Sequence, residues 1–460
     1  MDTILKKLAA IVGESYVSNA EEEKFFYSKD QGLQKPHNPD YIIMPVSTEE
    51  VQKIVLLANE EKIPIVPMGG GLALSGLTIP QKGGIVIDMK KMNRIIEVNE
   101  TSRYAVVEGG AVHGVLKSYL EKNHPKLKHS LPDAPPGATI AGNIAIHGSG
   151  HMSQSEGGFH SEMVTGMEVV LPTGKIIKAG SCSTVPGWFS RAPLPDLAGL
   201  FLGWNGTTGI ITKVAIKLYP KPLLEDVMLY ITDNINLVSE VIQKLTATGM
   251  VEDLIVLVKS ERVWLGTSQL INMKVTANSD FEMKFKKKVI HDSLKSFYDT
   301  KESGFFPVPA SMKGELLETP SRAVTAFADT LKGGGFEYVG SIMPLEKFAE
   351  ASTRGFEIAK KNDVRYSMGA RVIGRSHCMM FFNSYAFNRA DEGSMERTVN
   401  ALHDSNIAAL ELGGIPWKAE ASAQKYILAQ MDPETYNLMQ DIRKVLDPNG
   451  IMNPGNWEIN

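Results

Sequence analysis

Apolar and polar positions along residues 41–71, YIIMPVSTEEVQKIVLLANEEKIPIVPMGGG, predict a strand, a helix and a second strand in close succession. Val51, Ile54, Val55 and Ala58 keep the 3.6-residue period that puts them on one helical face. Ser47, with Glu50 three positions on, forms a capping box that starts this helix. IPIVP then reads as a short buried strand that ends in Gly69, Gly70 and Gly71. GGIVIDMKKM and YAVVEGG are further strands, and VHGVLKSYLEKN is a helix. MVTGMEVVLPTGKIIKAGS is a hairpin that turns at Pro172, Thr173 and Gly174. GIITKVAIKLYPKP alternates apolar and polar residues into a strand that stops at Pro220.

From about Leu223 the composition shifts to mixed strands and charged helices, which suits a separate domain of about 200 residues. The fold class that follows is α+β, with a domain boundary near residues 220–222. With 43% apolar and 22% charged residues, the chain has the composition of an ordinary globular protein large enough for two cores. A net charge of -4 from 48 basic and 52 acidic residues provides no electrostatic footprint for nucleic acid. No apolar run reaches the roughly 18 to 20 residues that span a bilayer, so direct membrane insertion is not expected. MDTILKKLAAIVGESYV reads as an amphipathic helix without a cleavage site, which points to the cytoplasm. Cys182 and Cys378 are far apart, so neither a disulfide framework nor an iron–sulfur cluster is encoded.

Three glycines in a row permit positive φ and leave successive N–H groups uncovered, a concave nest for phosphate oxygens. The competing reading is a plain surface turn. No GK[ST] follows, and the GxGxxG dinucleotide fingerprint is missing, which disfavours a nicotinamide domain.

The order of the glycine-rich segments is more specific. VPMGGGLALSG, PPGATIAGNIAIHGSG, GMEVVLPTGKIIKAG, LAGLFLGWNGTTGIITKVAIKLYPKP and LDPNGIMNPG follow one another along the chain. Together they resemble the FAD-binding domain of the PCMH-type superfamily, which includes vanillyl-alcohol oxidase, p-cresol methylhydroxylase and the glycolate oxidase and D-lactate dehydrogenase flavoproteins. The resemblance covers roughly residues 40–222 and 405–455. It implies a two-subdomain FAD-binding domain over residues 1–222, a substrate cap over 223–412 and a return to the FAD domain over 413–460.

By the same resemblance, Met68, Gly69, Gly70, Gly71, Leu72, Ala73 and Ser75 wrap the FAD pyrophosphate. Pro136, Gly137, Ala138, Thr139, Gly142, Asn143, Ile146 and Ser149 run along the ribityl chain and isoalloxazine. Gly206, Gly209, Ile210 and Ile211 contact the adenine side and the flavin edge, and Asn453 closes the domain. The first glycine loop has no histidine, so noncovalent FAD is expected. Ile146 is larger than the small residue that admits oxygen in sugar-lactone relatives, which points to a dehydrogenase. Reduced flavin then needs a partner electron acceptor, an iron–sulfur protein or an electron-transfer flavoprotein, and a homo- or hetero-oligomer is expected.

The cap is less conventional. The HxGDGNxH and GEHGIG signatures of glycolate and D-lactate relatives are replaced by RVIGRSHCMMFFNSYAF and LELGGIPWKAEASAQKYI. If ARVIGRSHCMMFF is one strand, period 2 puts Arg371, Ile373, Arg375, His377, Met379 and Phe381 on one face. Arg371 and Arg375 would hold a carboxylate or phenolate, and His377 would accept the hydroxyl proton. The competing reading is a solvated polar face. Trp417 and Lys418 lie where the family's chain re-enters beside the flavin, and they are the next candidates. His147, His151 and His160 could be read as metal ligands, but no carboxylate or fourth ligand beyond Glu156 accompanies them, so no metal is expected and His147 is placed near the flavin edge.

The reading that results is an FAD-dependent oxidoreductase taking a hydride from a hydroxyl-bearing carbon of a small molecule, a 2-hydroxy acid first. A phenol-oxidising enzyme and a non-catalytic electron-transfer subunit are the alternatives. A tyrosine pair such as Tyr366 and Tyr385 would favour the phenol.

Overall fold

A computed structural model of the chain describes residues 2–156, 158–258, 268–297, 303–318 and 333–458. It divides into two compact units. The first combines Met1–Gly148, His160–Pro220 and Glu420–Asn460, and the second combines Ser149–Phe159 with Lys221–Ala419.

In the first unit the expected strand, helix and strand are Tyr41–Ile43, Thr48–Glu61 and Ile65–Met68. Ser47 Oγ accepts from Glu50 N at 3.2 Å, while the Glu50 carboxylate reaches back to Val46 N at 2.8 Å. The box therefore closes one residue earlier than its usual form. Val51, Ile54, Val55 and Ala58 are buried against Ile43, Ile65, Ile85 and Ile87. These strands form a four-stranded sheet in the order Val17–Ser18, Tyr41–Ile43, Ile85–Asp88 and Ile65–Met68, in which the last three run parallel. A second, five-stranded antiparallel sheet holds the expected hairpin, Val164–Val170 with Ile176–Gly180, beside Ile210–Lys217, Tyr104–Glu108 and Ile95–Asn99. Its core takes Leu116 and Leu120 from helix His113–Asn123 and Ile140 and Ile144 from helix Ile140–Ala145. Helices Ala421–Gln430 and Pro433–Leu446 lead to Ile451 and Met452, which join the first sheet's core.

The second unit is an eight-stranded antiparallel sheet. Its order is Ser303–Phe306, Leu224–Thr232, Gln269–Ala277, Asp253–Val258, Arg365–Ile373, Cys378–Phe387, Gly335–Met343 and Ile415–Trp417. Alternation along the strands splits the residues between two faces. Leu254, Val256, Met368, Ala370, Val372, Met379 and Phe381 pack against helices Val238–Ala247, Asp280–Ser293 and Phe348–Lys361. Ile255, Ile373, Met380, Phe382 and Trp417 form a separate apolar layer with Phe159 and Tyr338.

Two sequence expectations change here. Residues 371–381 are not one strand: Arg365–Ile373 and Cys378–Phe387 pair antiparallel as a hairpin, and Gly374, Arg375 and Ser376 turn through φ of 60°, 57° and 76°. Gly374 permits that turn, so period 2 does not carry across it. Residues 413–419, expected in the return, instead add Ile415–Trp417 to the edge of the second unit's sheet.

Candidate active site

In the first unit, three glycine-bearing segments meet backbone to backbone. A Cβ on Gly69 would overlap Thr139 Oγ1, and one on Gly70 would lie 3.1 Å from Gly137 O. Proximity excludes a side chain at Gly69 and crowds one at Gly70. Among the described residues, the N–H groups of Gly70, Gly71, Leu72 and Ala73 make no hydrogen bond within the protein. They are half-buried donors turned away from the protein's own acceptors, an arrangement that suits an anion. Met68 closes the strand below them, while Ser75 Oγ turns its proton to Ala73 O at 3.2 Å and tightens the loop.

The second segment is set by Thr139. Its hydroxyl accepts from Gly142 N at 3.3 Å and caps helix Ile140–Ala145, while Ile140 N donates to Ala111 O at 2.9 Å. Pro136 and Gly137 are exposed, and Ala138 and Asn143 are buried. Asn143 Oδ1 is among the buried polar atoms without a partner.

The third segment is tied in by Asn453. Its N donates to Ile65 O at 2.7 Å, and its Nδ2 donates to Leu77 O at 3.1 Å and Asn205 O at 2.6 Å. One side chain thus fastens the first glycine loop, the NGTTG segment and the C-terminal return, and its own Oδ1 stays buried and unpartnered. Gly206 (φ 73°) lies against Pro67, where a Cβ would be 2.8 Å from the ring. A Cβ on Gly209 would lie 2.8 Å from Val169 Cγ1. Ile210 and Ile211 are core residues, one in each sheet's cluster.

Gly109 and Gly110, absent from the sequence-predicted site, are equally crowded: a Cβ on them would overlap Ile211 O and Met89 O. The glycine pair that closes YAVVEGG was their visible signal. Ile146 ends the short helix, and His147 follows at φ 51° with Nδ1 2.8 Å from Ser161 Oγ. Burial lowers the His147 pKa. His160 goes elsewhere: it bonds Ser130 Oγ through Nε2 at 2.9 Å and packs on His113, which itself contacts His129 Nε2 at 3.3 Å. Desolvation holds His113 far below the usual histidine range and brings His129 to about 3, so both are neutral.

The second unit takes the remaining candidates. Ser149 pairs with Phe159 and opens the excursion Ser149–Phe159. Arg371 is cross-strand from Ile255 and Met380, on the apolar layer's side of the sheet, and it is fully buried. It is ion-paired with Asp253, whose other oxygen lies 3.6 Å from His151 Nδ1. Desolvation pushes against ionisation of Asp253, yet the Arg371 and His151 charges, with hydrogen bonds from Arg371 and Ser153, hold its carboxyl well below the ordinary range. Arg375 and His377 are exposed in the turn, away from Arg371, and Arg375 Nε donates to Gln154 O at 3.2 Å. The expected three-residue cluster of Arg371, Arg375 and His377 is therefore not assembled.

Trp417 is buried over Gly340, where a Cβ would lie 2.8 Å from its ring. Lys418, at φ 55°, holds Nζ 3.9 Å from the Trp417 ring centroid and 4.9 Å from that of Tyr338. Tyr385 is fully buried on the helix side with its hydroxyl 2.8 Å from Ser405 Oγ, so it and Tyr366 form no phenol clamp. Among the described residues no group of His, Cys, Asp and Glu has metal-site geometry, and no helix is long and apolar enough to cross a membrane.

The chain matches two known families, the FAD binding domain over residues 39–180 and the C-terminal domain of FAD linked oxidases over residues 341–457. It is similar to the glycolate oxidase subunit GlcD of Bacillus subtilis, 26% identical across 98% of this chain and 96% of the relative. It is 27% identical to the mitochondrial cytochrome D-lactate dehydrogenase of Arabidopsis thaliana, over 98% of this chain and 79% of that protein. A crystal structure of substrate-bound p-cresol methylhydroxylase shares the fold, with TM-score 0.83 and 20% identity over 99% of this chain and 96% of that one. The glycine cradle with its N–H groups fits FAD, and the chain is an FAD-linked oxidoreductase that carries an FAD binding domain and the C-terminal domain of FAD linked oxidases.

Proposed function

We propose that this FAD-dependent oxidoreductase oxidises the hydroxyl-bearing carbon of a 2-hydroxy acid and passes the electrons to a protein acceptor. The observation that carries the reading is similarity along nearly the full length of both chains to a glycolate oxidase subunit, cap included. FAD supplies the two-electron acceptor. The loop Met68–Ser75 would hold the pyrophosphate through backbone donors, and Gly137–Asn143 would lie along the flavin with no side chain to hold it off. Lys418 is the cation best suited to the substrate carboxylate, because Arg371 is already neutralised by Asp253. The ammonium lies over the Trp417 and Tyr338 faces, 3.9 Å and 4.9 Å from their ring centroids.

A phenol-oxidising activity is the second reading. It is favoured by the aromatic layer around Trp417 and by 32% identity to the 4-cresol dehydrogenase flavoprotein subunit of Pseudomonas putida, over 47% of this chain and 42% of that one. Anaerobic addition of 2-hydroxy acids and of alkylphenols to the yellow protein separates the two. Bleaching by a hydroxy acid alone supports the first reading, bleaching by a phenol alone replaces it, and bleaching by neither leaves an electron-transfer subunit.

A further inference from the structure

Three histidines of the first unit form one buried cluster although they come from three parts of the chain. His113 opens helix His113–Asn123, His129 follows strand Leu127–Lys128, and His160 begins the turn His160–Met163. The His113 ring is stacked on the His129 ring at 5.4 Å and lies 5.1 Å from the His160 ring, centroid to centroid. All three are at most 5% exposed, and His113 Nε2 is buried without a hydrogen-bond partner. The same residues hold both ends of one chain segment. His113 N donates to Ala138 O at 3.1 Å and Gly114 N to Pro136 O at 2.9 Å, while His160 N donates to Gly148 O at 2.8 Å. Residues 136–148 therefore start and end on the backbone of elements whose imidazole rings share one pocket.

We propose that this histidine cluster is an acid-sensitive latch on FAD: proton uptake by the rings loosens residues 136–148 and releases the flavin. The inference rests on the reading above that residues 137–143 lie along the flavin. Burial keeps His113 and His129 neutral, and the charges that bear on them, from one another, His160 and Lys117, are all positive. The other titratable groups on the elements packed there are Glu121, which pairs with Lys117 at 3.7 Å, Lys128 and Asp133 beside His129, and Glu162 beside His160. Arg191 donates to Ser161 O at 3.5 Å, Tyr219 is on the strand paired to Lys128, and His147 is on the segment itself. A protonated ring must be hydrated, so the elements that bury it have to part, and those elements hold the segment by three backbone hydrogen bonds. Bound FAD keeps the segment closed and the rings neutral, whereas the opened, flavin-free form lets them titrate near the ordinary histidine pKa of about 6.5. The flavin-free form thus binds more protons, and FAD affinity is full above that pKa and falls below it.

The test is the FAD dissociation constant of the full chain against pH, read by flavin fluorescence, with circular dichroism at every pH. Wild type, His113→Gln, His129→Gln and Gly137→Val are compared. A pyrophosphate diester keeps its charge over this interval, so the slope reads the protein. The expected constant rises roughly tenfold for each ring that takes up a proton between about pH 7.5 and about pH 5.5, at unchanged ellipticity. Either glutamine variant should shrink the rise by about that factor. If neither variant folds, ring ¹⁵N NMR of histidine-labelled wild type must show His113 and His129 gaining protons over that interval without FAD and staying neutral with it. A constant that is flat with pH, an undiminished slope in both variants, rings that stay neutral without FAD, or flavin loss that coincides with loss of ellipticity overturns the proposal. Within the protein a Cβ on Gly137 would meet Leu72 Cδ1 alone, at 3.8 Å, so Gly137→Val challenges the flavin and not the fold. Wild-type FAD content in that variant overturns the reading on which the inference rests, whereas a flat wild-type constant with Gly137→Val unable to hold FAD removes the inference alone.

Discussion

The two units meet their charges by opposite means. In the first, anion-binding capacity comes from backbone: glycines bring Met68–Ser75 against Gly137–Thr139, and uncovered N–H groups do what side chains do elsewhere. In the second, charge sits on side chains that are buried in pairs, Arg371 with Asp253 and His151 beside them. The lesson is about tolerance. A backbone nest fails when volume is added, and a buried ion network fails when charge is subtracted.

Asp253→Asn should have the largest effect, because it removes the carboxylate paired with the fully buried Arg371, and breaking a buried ion pair costs about 3–5 kcal/mol. A melting temperature unchanged from wild type would show that the network carries no such weight. Acid has the same sign: the Asp253 pKa is depressed in the fold, so its contribution is present above the unfolded carboxylate pKa and lost as pH falls through the folded one.

Gly69→Val adds volume where Thr139 Oγ1 already stands, and overpacking of this kind costs about 3 kcal/mol, or roughly 100-fold in FAD affinity. The ratio of flavin to protein absorbance reads it directly, and a fully yellow variant would refute the cradle.

The neutral histidine cluster sets a pH dependence of its own. His113 and His129 have folded pKa values below the unfolded one, so the unfolded chain takes up protons first and stability falls as pH drops below the ordinary histidine pKa. Between about pH 7 and about pH 5 His129 alone should cost about 2 kcal/mol, and His129→Gln should flatten the melting temperature over that interval. An identical slope in the variant would mean that the cluster is not what titrates.

Lys418→Met should raise the half-saturation for hydroxy acids roughly tenfold, the value of a charge-assisted hydrogen bond of about 1.5 kcal/mol, with FAD content unchanged. The smallest change is expected for Arg375→Met, whose exposed guanidinium bonds one carbonyl in a turn: less than about 0.5 kcal/mol. A large loss of substrate binding there would restore the idea that Arg371 and Arg375 act from one face.

The legibility of the two sites differs for the same reason as their chemistry. GGG after IPIVP, PPGATIAGN and NGTTG are local runs, and a backbone nest is a local object, so it was readable before any fold was known. The capping box at Ser47 and the hairpin at Gly174 were readable for the same reason. RVIGRSHC was misread because alternation is ambiguous where Gly374 can reverse the chain. Nothing near Asp253 in VEDLIVLV announces a partner 118 residues away.

By itself, the sequence determined the α+β class, the glycine-rich segments and their order, because those depend on residues within a few positions of one another. Only the tertiary structure decided that residues 149–159 join the second unit, that Arg371 is neutralised by Asp253, and that three histidines of one stretch reach three surroundings. Burial of a charge is decided by what packs over it, and that partner can lie anywhere along the chain.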